Sequence, residues 1–321
     1  MSSDGQVIAL VGGGRWGRVH ASNLSRMLSP RDKVVWVSRF NQDALANSIR
    51  TFTSGGPKFE IRSTLIDALD DRPVAAIVVT APDTHFAVAK SCLEAGLHVF
   101  VEKPLSFRRN EAESLIDLAS SQGRLLAVGL HLLSATYLQH LCSLLNGALM
   151  ARISIRWFDP DKEQRYGEMK RTDHLVSLAH DIYPHIWSIV KALTDCEHQI
   201  IVDCQSIGAA YMSVMSQAGE VSIQSECGRN AQARERLVQI DLKNGDVVRF
   251  DFTEEPGHLA RNGIALPSDP LWGKTPRPVM AEAQEFLRLA SNSSVDTNWP
   301  HLAARCVDSV VGAEILQTKL G

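Results

Sequence analysis

Up to residue 129 the chain alternates short, wholly apolar runs with amphipathic stretches. That is the pattern of parallel strands buried on both faces and joined by helices. The runs fall at 7–11 (VIALV), 34–37 (VVWV), 74–80 (VAAIVVT), 98–101 (HVFV) and 125–128 (LLAV). Helical spacing predicts helices over 64–69, over 85–96, which closes on Gly96, and over 110–121, which stops near Gly123. Beyond 129 the period changes. Helices near 135–145 and 175–193 mix with long alternating strands at 199–210, 220–227 and 237–242, and Asn244-Gly245 supplies a hairpin turn into 247–252. Further helices at 279–290 and near 302–317 close the chain. The expected architecture is α/β, with a doubly wound parallel sheet at 1–129 and an α+β domain at 130–321 built on a large, mostly antiparallel open sheet.

Composition narrows the class of function. With 321 residues, 45% of them hydrophobic, the chain can bury two cores. A formal charge of -3 at pH 7 gives no general pull toward nucleic acid or an anionic membrane, so neither is an expected partner. No apolar run approaches the roughly 18 to 20 residues that cross a bilayer. The opening MSSDGQ has neither the basic nor the apolar region of a signal peptide, and a cytoplasmic location is expected. The cysteines, Cys92, Cys142, Cys196, Cys204, Cys227 and Cys306, form no CxxC pair, which argues against a zinc site or a disulfide framework, and no metal is expected.

The candidate chemistry begins where the first apolar run breaks into GGGRWG, with glycines spaced GxGxxG at Gly12, Gly14 and Gly17. The first glycine makes a tight turn off the strand, the second lets backbone approach a pyrophosphate, and the third lets the next helix pack closely on the strand. The amino terminus of that helix then faces the phosphates with unpaired N–H groups. About twenty residues on, where such folds read the adenosine ribose, stand Ser38 and Arg39 rather than an acid. A hydroxyl and a planar guanidinium suit a 2′-phosphate, so NADP(H) is expected over NAD(H). Lys103 lies just past the 98–101 run, at the carboxyl end of a parallel strand, where open α/β sheets bind ligands. Asp181 and His185 stand four apart in an apparent helix and so share one face.

GGGRWGRVH at 12–20, TAPDTHF at 80–86, AGLHVFVEKP at 95–104 and DIYPH at 181–185 together resemble the Gfo/Idh/MocA oxidoreductases, the family of glucose-fructose oxidoreductase and inositol dehydrogenase, over nearly the whole length. The resemblance implies a Rossmann dinucleotide-binding domain followed by a domain that binds substrate and forms oligomers. It implies cofactor contacts at Gly12, Gly14, Arg15, Trp16, Gly17, Ser38, Arg39, Thr80, Pro82, His85, Glu102 and Lys103. It also implies that Lys103 exchanges a proton with the reacting oxygen or nitrogen, that His185 relays protons, and that Asp181 orients His185 or holds a neighbouring hydroxyl.

His180 adjoins Asp181 and competes for the histidine role. The family often carries an arginine after the strand that closes the first domain, and here His131 stands there. His131, Trp157, Tyr166 and His180 are the candidate substrate contacts, and Tyr137 either joins them or packs in its helix. Residues 157–171 (WFDPDKEQRYGEMKR) are expected to be an irregular polar loop. The expected activity is NADPH-dependent reduction of a ketone, of a sugar or a related biosynthetic intermediate. The alternatives are imine reduction and a dinucleotide-binding regulator without catalysis. The expected partners are a small-molecule substrate and further copies of the chain, as a homodimer or homotetramer formed through the C-terminal sheet. Its apolar positions Ile200, Val202, Val221, Ile223, Val238 and Ile240 are expected to supply a face that needs covering.

Overall fold

The computed structural model describes residues 5–52, 55–165, 168–172, 175–196, 198–291 and 299–320. The chain divides into two compact units, Met1–Gly129 with Val279–Val307, and Leu130–Pro278 with Asp308–Gly321.

In the first unit six parallel strands, β1 (Val7–Val11), β2 (Lys33–Val37), β3 (Lys58–Arg62), β4 (Ala75–Val78), β5 (His98–Glu102) and β6 (Leu126–Gly129), lie in the order β3-β2-β1-β4-β5-β6. Helices α1 (Arg15–Met27), α2 (Gln42–Arg50), α3 (Leu65–Leu69), α4 (His85–Glu94) and α5 (Arg109–Ser121) connect them. The strand order turns back between β1 and β4, which are neighbours with Val11 opposite Val78. Crossovers leave β1 and β4 in opposite directions, so a crevice opens beyond their carboxyl ends. Strands β1, β2, β4 and β5 are buried on both faces, as their unbroken apolar runs require. Edge strand β3 (KFEIR) mixes charge with apolar residues, which hides it from a search for apolar runs.

A domain running 130–321 would place the late helix α8 (Pro278–Ala290) in the second unit. The structure instead sets Phe286 and Leu287 of α8 in the core formed by Ile8, Leu10, Leu24, Trp36 and Phe100. The physical reason is the apolar stripe of Val279, Ala283, Phe286 and Leu287, all buried.

The second unit is built on eight strands in the order β10-β11-β12-β7-β13-β14-β15-β16. These are β7 (Met150–Phe158), β10 (Ile200–Ile207), β11 (Tyr211–Ala218), β12 (Val221–Gly228), β13 (Glu235–Leu242), β14 (Val247–Asp251), β15 (His258–Arg261) and β16 (Ile264–Ala265). All neighbours are antiparallel except β7 and β12, which run parallel. Helices α6 (Thr136–Leu144) and α7 (Leu178–Thr194) belong to this unit, and helix α9 (Trp299–Leu320) enters it from Asp308. A Cβ on Gly312 would stand 2.2 Å from Tyr183 Cε1, so α9 and α7 touch backbone to ring there.

Two expectations are corrected here. The stretch 157–171 is not an irregular loop: Trp157 and Phe158 finish β7, and β8 (Lys162–Arg165) pairs with β9 (Glu168–Arg171) as a separate hairpin. Pairing of backbone groups between two short polar strands needs no apolar pattern. The open face of the sheet is also not apolar. Ile223, Val238 and Ile240 are buried in the unit's own core. Their neighbours on the other face are Arg156, Glu226, Glu235 and Gln239, with Arg156 paired to both Glu226 and Glu235. The period-2 rule requires this, since residues adjacent in a strand point to opposite faces. Ile200 and Val202 are exposed, but on edge strand β10.

Candidate functional site

The glycine loop meets the geometric demands of a dinucleotide cradle. Gly12 has φ +131, and a Cβ there would lie 2.5 Å from the Val79 carbonyl oxygen. A Cβ on Gly17 would lie 2.1 Å from the Gly12 oxygen, so α1 rests directly on the turn after β1. Gly14 is the N-cap of α1, offers no capping side chain, and among the described residues has nothing within 4 Å of its would-be Cβ. The first turn of α1 contains no acid. The positive dipole end of α1 thus carries no acid of its own first turn, an environment that fits a phosphate group. Trp36 locks the turn from beneath by donating Nε1–H to the Gly12 oxygen at 2.8 Å. Arg15 and Trp16 open the helix, the guanidinium 5.1 Å from the indole centroid.

The other first-unit candidates gather at the same strand ends. Ser38, just past β2, lies against the loop, since a Cβ on Gly13 would be 2.3 Å from its Oγ, which donates to the Phe40 oxygen at 2.7 Å. Arg39 is exposed, its guanidinium 5.5 Å from the centre of the Phe40 ring. Thr80 follows β4, and Thr84 donates its hydroxyl to Thr80 Oγ1 at 2.8 Å across the short helical turn that begins at Pro82. His85 is buried and ties this turn to the loop after β5, with Nδ1 2.7 Å from the Pro104 oxygen and Nε2 3.1 Å from the Thr80 oxygen. Burial pushes its imidazole below the ordinary range, against those carbonyls and the charge of Glu102. Glu102 ends β5 and is buried, with Oε1 2.8 Å from His20 Nε2, and Lys103 is the next residue. The pairings of β1 with β4 and of β4 with β5 thus bring the glycine loop, Thr80 and Lys103 to adjacent strand ends.

The second unit carries the other candidates. Ser177 caps α7, accepting from the His180 N–H at 3.3 Å and standing 2.8 Å from His180 Nδ1. His180 is thereby engaged in holding the helix start. Asp181 Oδ2 accepts from Arg229 Nη2 at 3.2 Å, and the Arg229 side chain is almost wholly buried. One turn on, His185 is buried and stacks on Trp157 with centroids 4.7 Å apart and planes 10° from parallel. His131 meets its edge at 5.2 Å. The Arg236 guanidinium lies 3.7 Å from the Trp157 centroid. Two groups that close cannot share one indole face, so Trp157 is held between Arg236 and His185.

Arg236 in turn pairs with Asp159 and donates to the Phe158 oxygen at 2.6 Å. Burial draws Arg236 down to about 9, against the pull of Asp159. Burial would raise Asp159, but Arg236 and Lys170 overcome it and hold the carboxyl well below the usual carboxylate range. Tyr137 packs in the core against Phe250, Phe252 and Trp272, and its hydroxyl donates to Glu255 at 3.2 Å. Tyr166 lies outside the described residues. Asp159, Arg229, Arg236 and His20 escaped the reading of the sequence. For Arg236 a signal exists, because it occupies an inward-facing position of β13 in register with Val238, Ile240 and Leu242. Among the described residues no group of His, Cys, Asp and Glu could hold a metal ion, and no helix is long and apolar enough to cross a membrane.

A parallel sheet with a glycine-loop cradle at its switch point, followed by an open antiparallel sheet, defines a dinucleotide-binding α/β protein of two units. Residues 7–130 match the family model described as the oxidoreductase family, NAD-binding Rossmann fold, of the Gfo/Idh/MocA type. The uncharacterized oxidoreductase YrbE of Bacillus subtilis is 32% identical over 124 residues, 38% of this chain and 35% of YrbE. The UDP-N-acetylglucosamine 3-dehydrogenase of Acidithiobacillus ferrooxidans is 41% identical over 64 residues, 20% of each chain. These alignments thus span about a third or less of those curated relatives. The solved structure of the Acidithiobacillus ferrooxidans enzyme, GnnA, superposes with a TM-score of 0.74 at 18% identity, covering 98% of this chain and 97% of that one. KijD10, a 3-ketoreductase from Actinomadura kijaniata solved with NADP and TDP-benzene, does so at 0.75 and 15% identity, covering 96% of each. At these identities the structures show a shared fold.

Proposed function

We propose that this protein is an NADP(H)-preferring oxidoreductase that reduces a ketone on a sugar or related intermediate, with Lys103 as the proton donor. The observation that carries the reading is the placement of Lys103 at the carboxyl end of β5, one strand from the switch point where Gly14 leaves the amino terminus of α1 open. The relatives' names support the substrate class, one being a 3-dehydrogenase of a nucleotide sugar and another a 3-ketoreductase. When bound, a nicotinamide cofactor would supply the hydride that the carbonyl carbon takes up. Lys103 gives its proton to the oxygen, so the ketone becomes an alcohol. The α1 amino terminus would hold the pyrophosphate, and Ser38 and Arg39 would take the 2′-phosphate.

His185 serves the proton relay, its ring oriented by Trp157, and Asp181, anchored by Arg229, presents its second oxygen to a substrate hydroxyl. His131 and Trp157 supply the aromatic surface. Self-association through the open sheet face would be polar, built on Arg156 and its carboxylates rather than on apolar packing. The test is NADPH consumption with a panel of sugar and nucleotide-sugar ketones. Lys103→Ala is expected to lower turnover about a hundredfold to ten-thousandfold while cofactor affinity stays within a few-fold. Unchanged turnover in the folded variant would remove Lys103 from the mechanism.

A further inference from the structure

Helix α8 returns to the first unit and lays an acid against the strand that ends in Glu102. Phe286 of α8 meets Phe100 of β5 with ring centroids 5.7 Å apart. Glu282 lies one helical turn before Phe286 and Glu102 two residues after Phe100, so each shares a face with its phenylalanine, and Glu282 stands near enough to feel the charge of Glu102. His20 of α1 closes the third side, fully buried, 5.8 Å from the Phe100 ring and 2.8 Å from Glu102 Oε1. His20 Nδ1 and Glu282 Oε1 are sealed from solvent and have no hydrogen-bond partner among the described residues. A bare Nδ1 favours the tautomer that carries its proton on Nε2 and donates it to Glu102. Among the described residues, His20 from α1 pairs with Glu102, and His85 from α4 feels the charge of Glu102.

We propose that Glu282 stands as a neutral acid against the Glu102 carboxylate and is a positioning residue for the strand end that carries Lys103. Two ionised carboxylates in a dry site repel each other and lack the solvation that would compensate, so one proton stays with the pair. Burial, with the charge of Glu102 added, raises the Glu282 carboxyl well above its usual range. Its proton keeps α8 seated on β5. Loss of that proton leaves adjacent anions behind Lys103 and loosens the strand end. The positioning role rests on the proposed function of Lys103, whereas the proton at Glu282 does not.

Urea unfolding of the ligand-free protein between pH 5 and 9 tests the proton directly, on wild type, Glu282→Gln and Glu282→Met. A carboxyl raised in the folded state stabilises below its unfolded value, and that stability is lost as pH rises toward the folded one. The unfolding constant of wild type, relative to that of Glu282→Gln, should therefore rise with pH above the unfolded value, by at most about tenfold per pH unit, and level off once the folded value is passed. The infrared carbonyl band of a protonated carboxylic acid should be present in wild type at pH 7 and weaker in both variants. Parallel stability profiles, or no such difference in the band, would overturn the proposal. For positioning, Glu282→Gln should keep turnover at pH 7 and carry it to higher pH than wild type, while Glu282→Met lowers kcat with little change in the KM for NADPH. Equal loss in both variants would overturn the positioning role. Full turnover in Lys103→Ala alongside the stability difference would instead fault the lysine and leave the proton of Glu282 standing.

Discussion

Gly17→Ala is the sharpest probe of the glycine loop. The added Cβ would sit 2.1 Å from the Gly12 carbonyl oxygen, where ordinary contact begins at 3.4 Å, so α1 must back away from the turn. A backbone carbonyl cannot rotate aside as a flexible side chain would. Overpacking of this kind costs about 1–3 kcal/mol. The same oxygen accepts the indole N–H of Trp36, a fully buried side chain, and disturbing that bond costs about 1–3 kcal/mol more if the donor is orphaned. Alanine returns at most about 1 kcal/mol in helix propensity. The expected loss is about 1–6 kcal/mol, read by urea unfolding followed through tryptophan fluorescence. Gly14→Ala is the control, since among the described residues its Cβ meets nothing within 4 Å and the native φ of -75 suits alanine. It should stay within about 1 kcal/mol of wild type. Equal stability of Gly17→Ala and wild type would refute the close contact of α1 with the β1 turn.

Arg39→Asp should narrow or invert a preference for NADPH over NADH in parallel titrations, because a charge-assisted contact to phosphate is worth about 1.5–3 kcal/mol. No change in the ratio of the two affinities would remove Arg39 from cofactor reading. His185→Ala should lower turnover sharply and flatten its pH dependence near neutrality, while His180→Ala acts mainly on the stability of α7 through the Ser177 cap; the reverse ordering would move the relay to His180. Arg236→Met leaves Asp159 without its closest cation in a buried site and should cost about 3–5 kcal/mol. Because Asp159 is held below its unfolded range, its contribution is present above that range and lost as pH falls through the folded value. Asp159→Asn should therefore weaken the acid dependence of stability, and an unchanged acid limb would show that the pair contributes little.

The parallel sheet was legible because buried strands must be apolar throughout, and 7–11, 34–37, 74–80 and 98–101 each mark one. Gly12, Gly14 and Gly17 were legible because their spacing answers to backbone sterics that no other residue satisfies. Strand β7 was overlooked although Ile153, Ile155 and Trp157 alternate, because the intervening Arg152, Ser154 and Arg156 make the run polar on average. The partners Arg229, Arg236 and Glu282 lie far in sequence from the motifs they serve. Contacts such as Asp181 with Arg229 are set by how α7 packs at the end of β12, which a single sequence does not display. Glu282 nevertheless interrupts the stripe of Val279, Ala283 and Phe286 with an acid, and a charge inside an apolar helix face is the one local sign such a residue leaves.

Calorimetric titration of NADPH into wild type and Gly14→Asp tests the central claim most directly. The open amino terminus of α1 predicts one NADPH bound per chain in wild type, and binding abolished in a Gly14→Asp protein that still unfolds cooperatively, since a carboxylate at the N-cap would occupy and repel the phosphate site. No binding by wild type, or equal binding by the two proteins, would contradict the account.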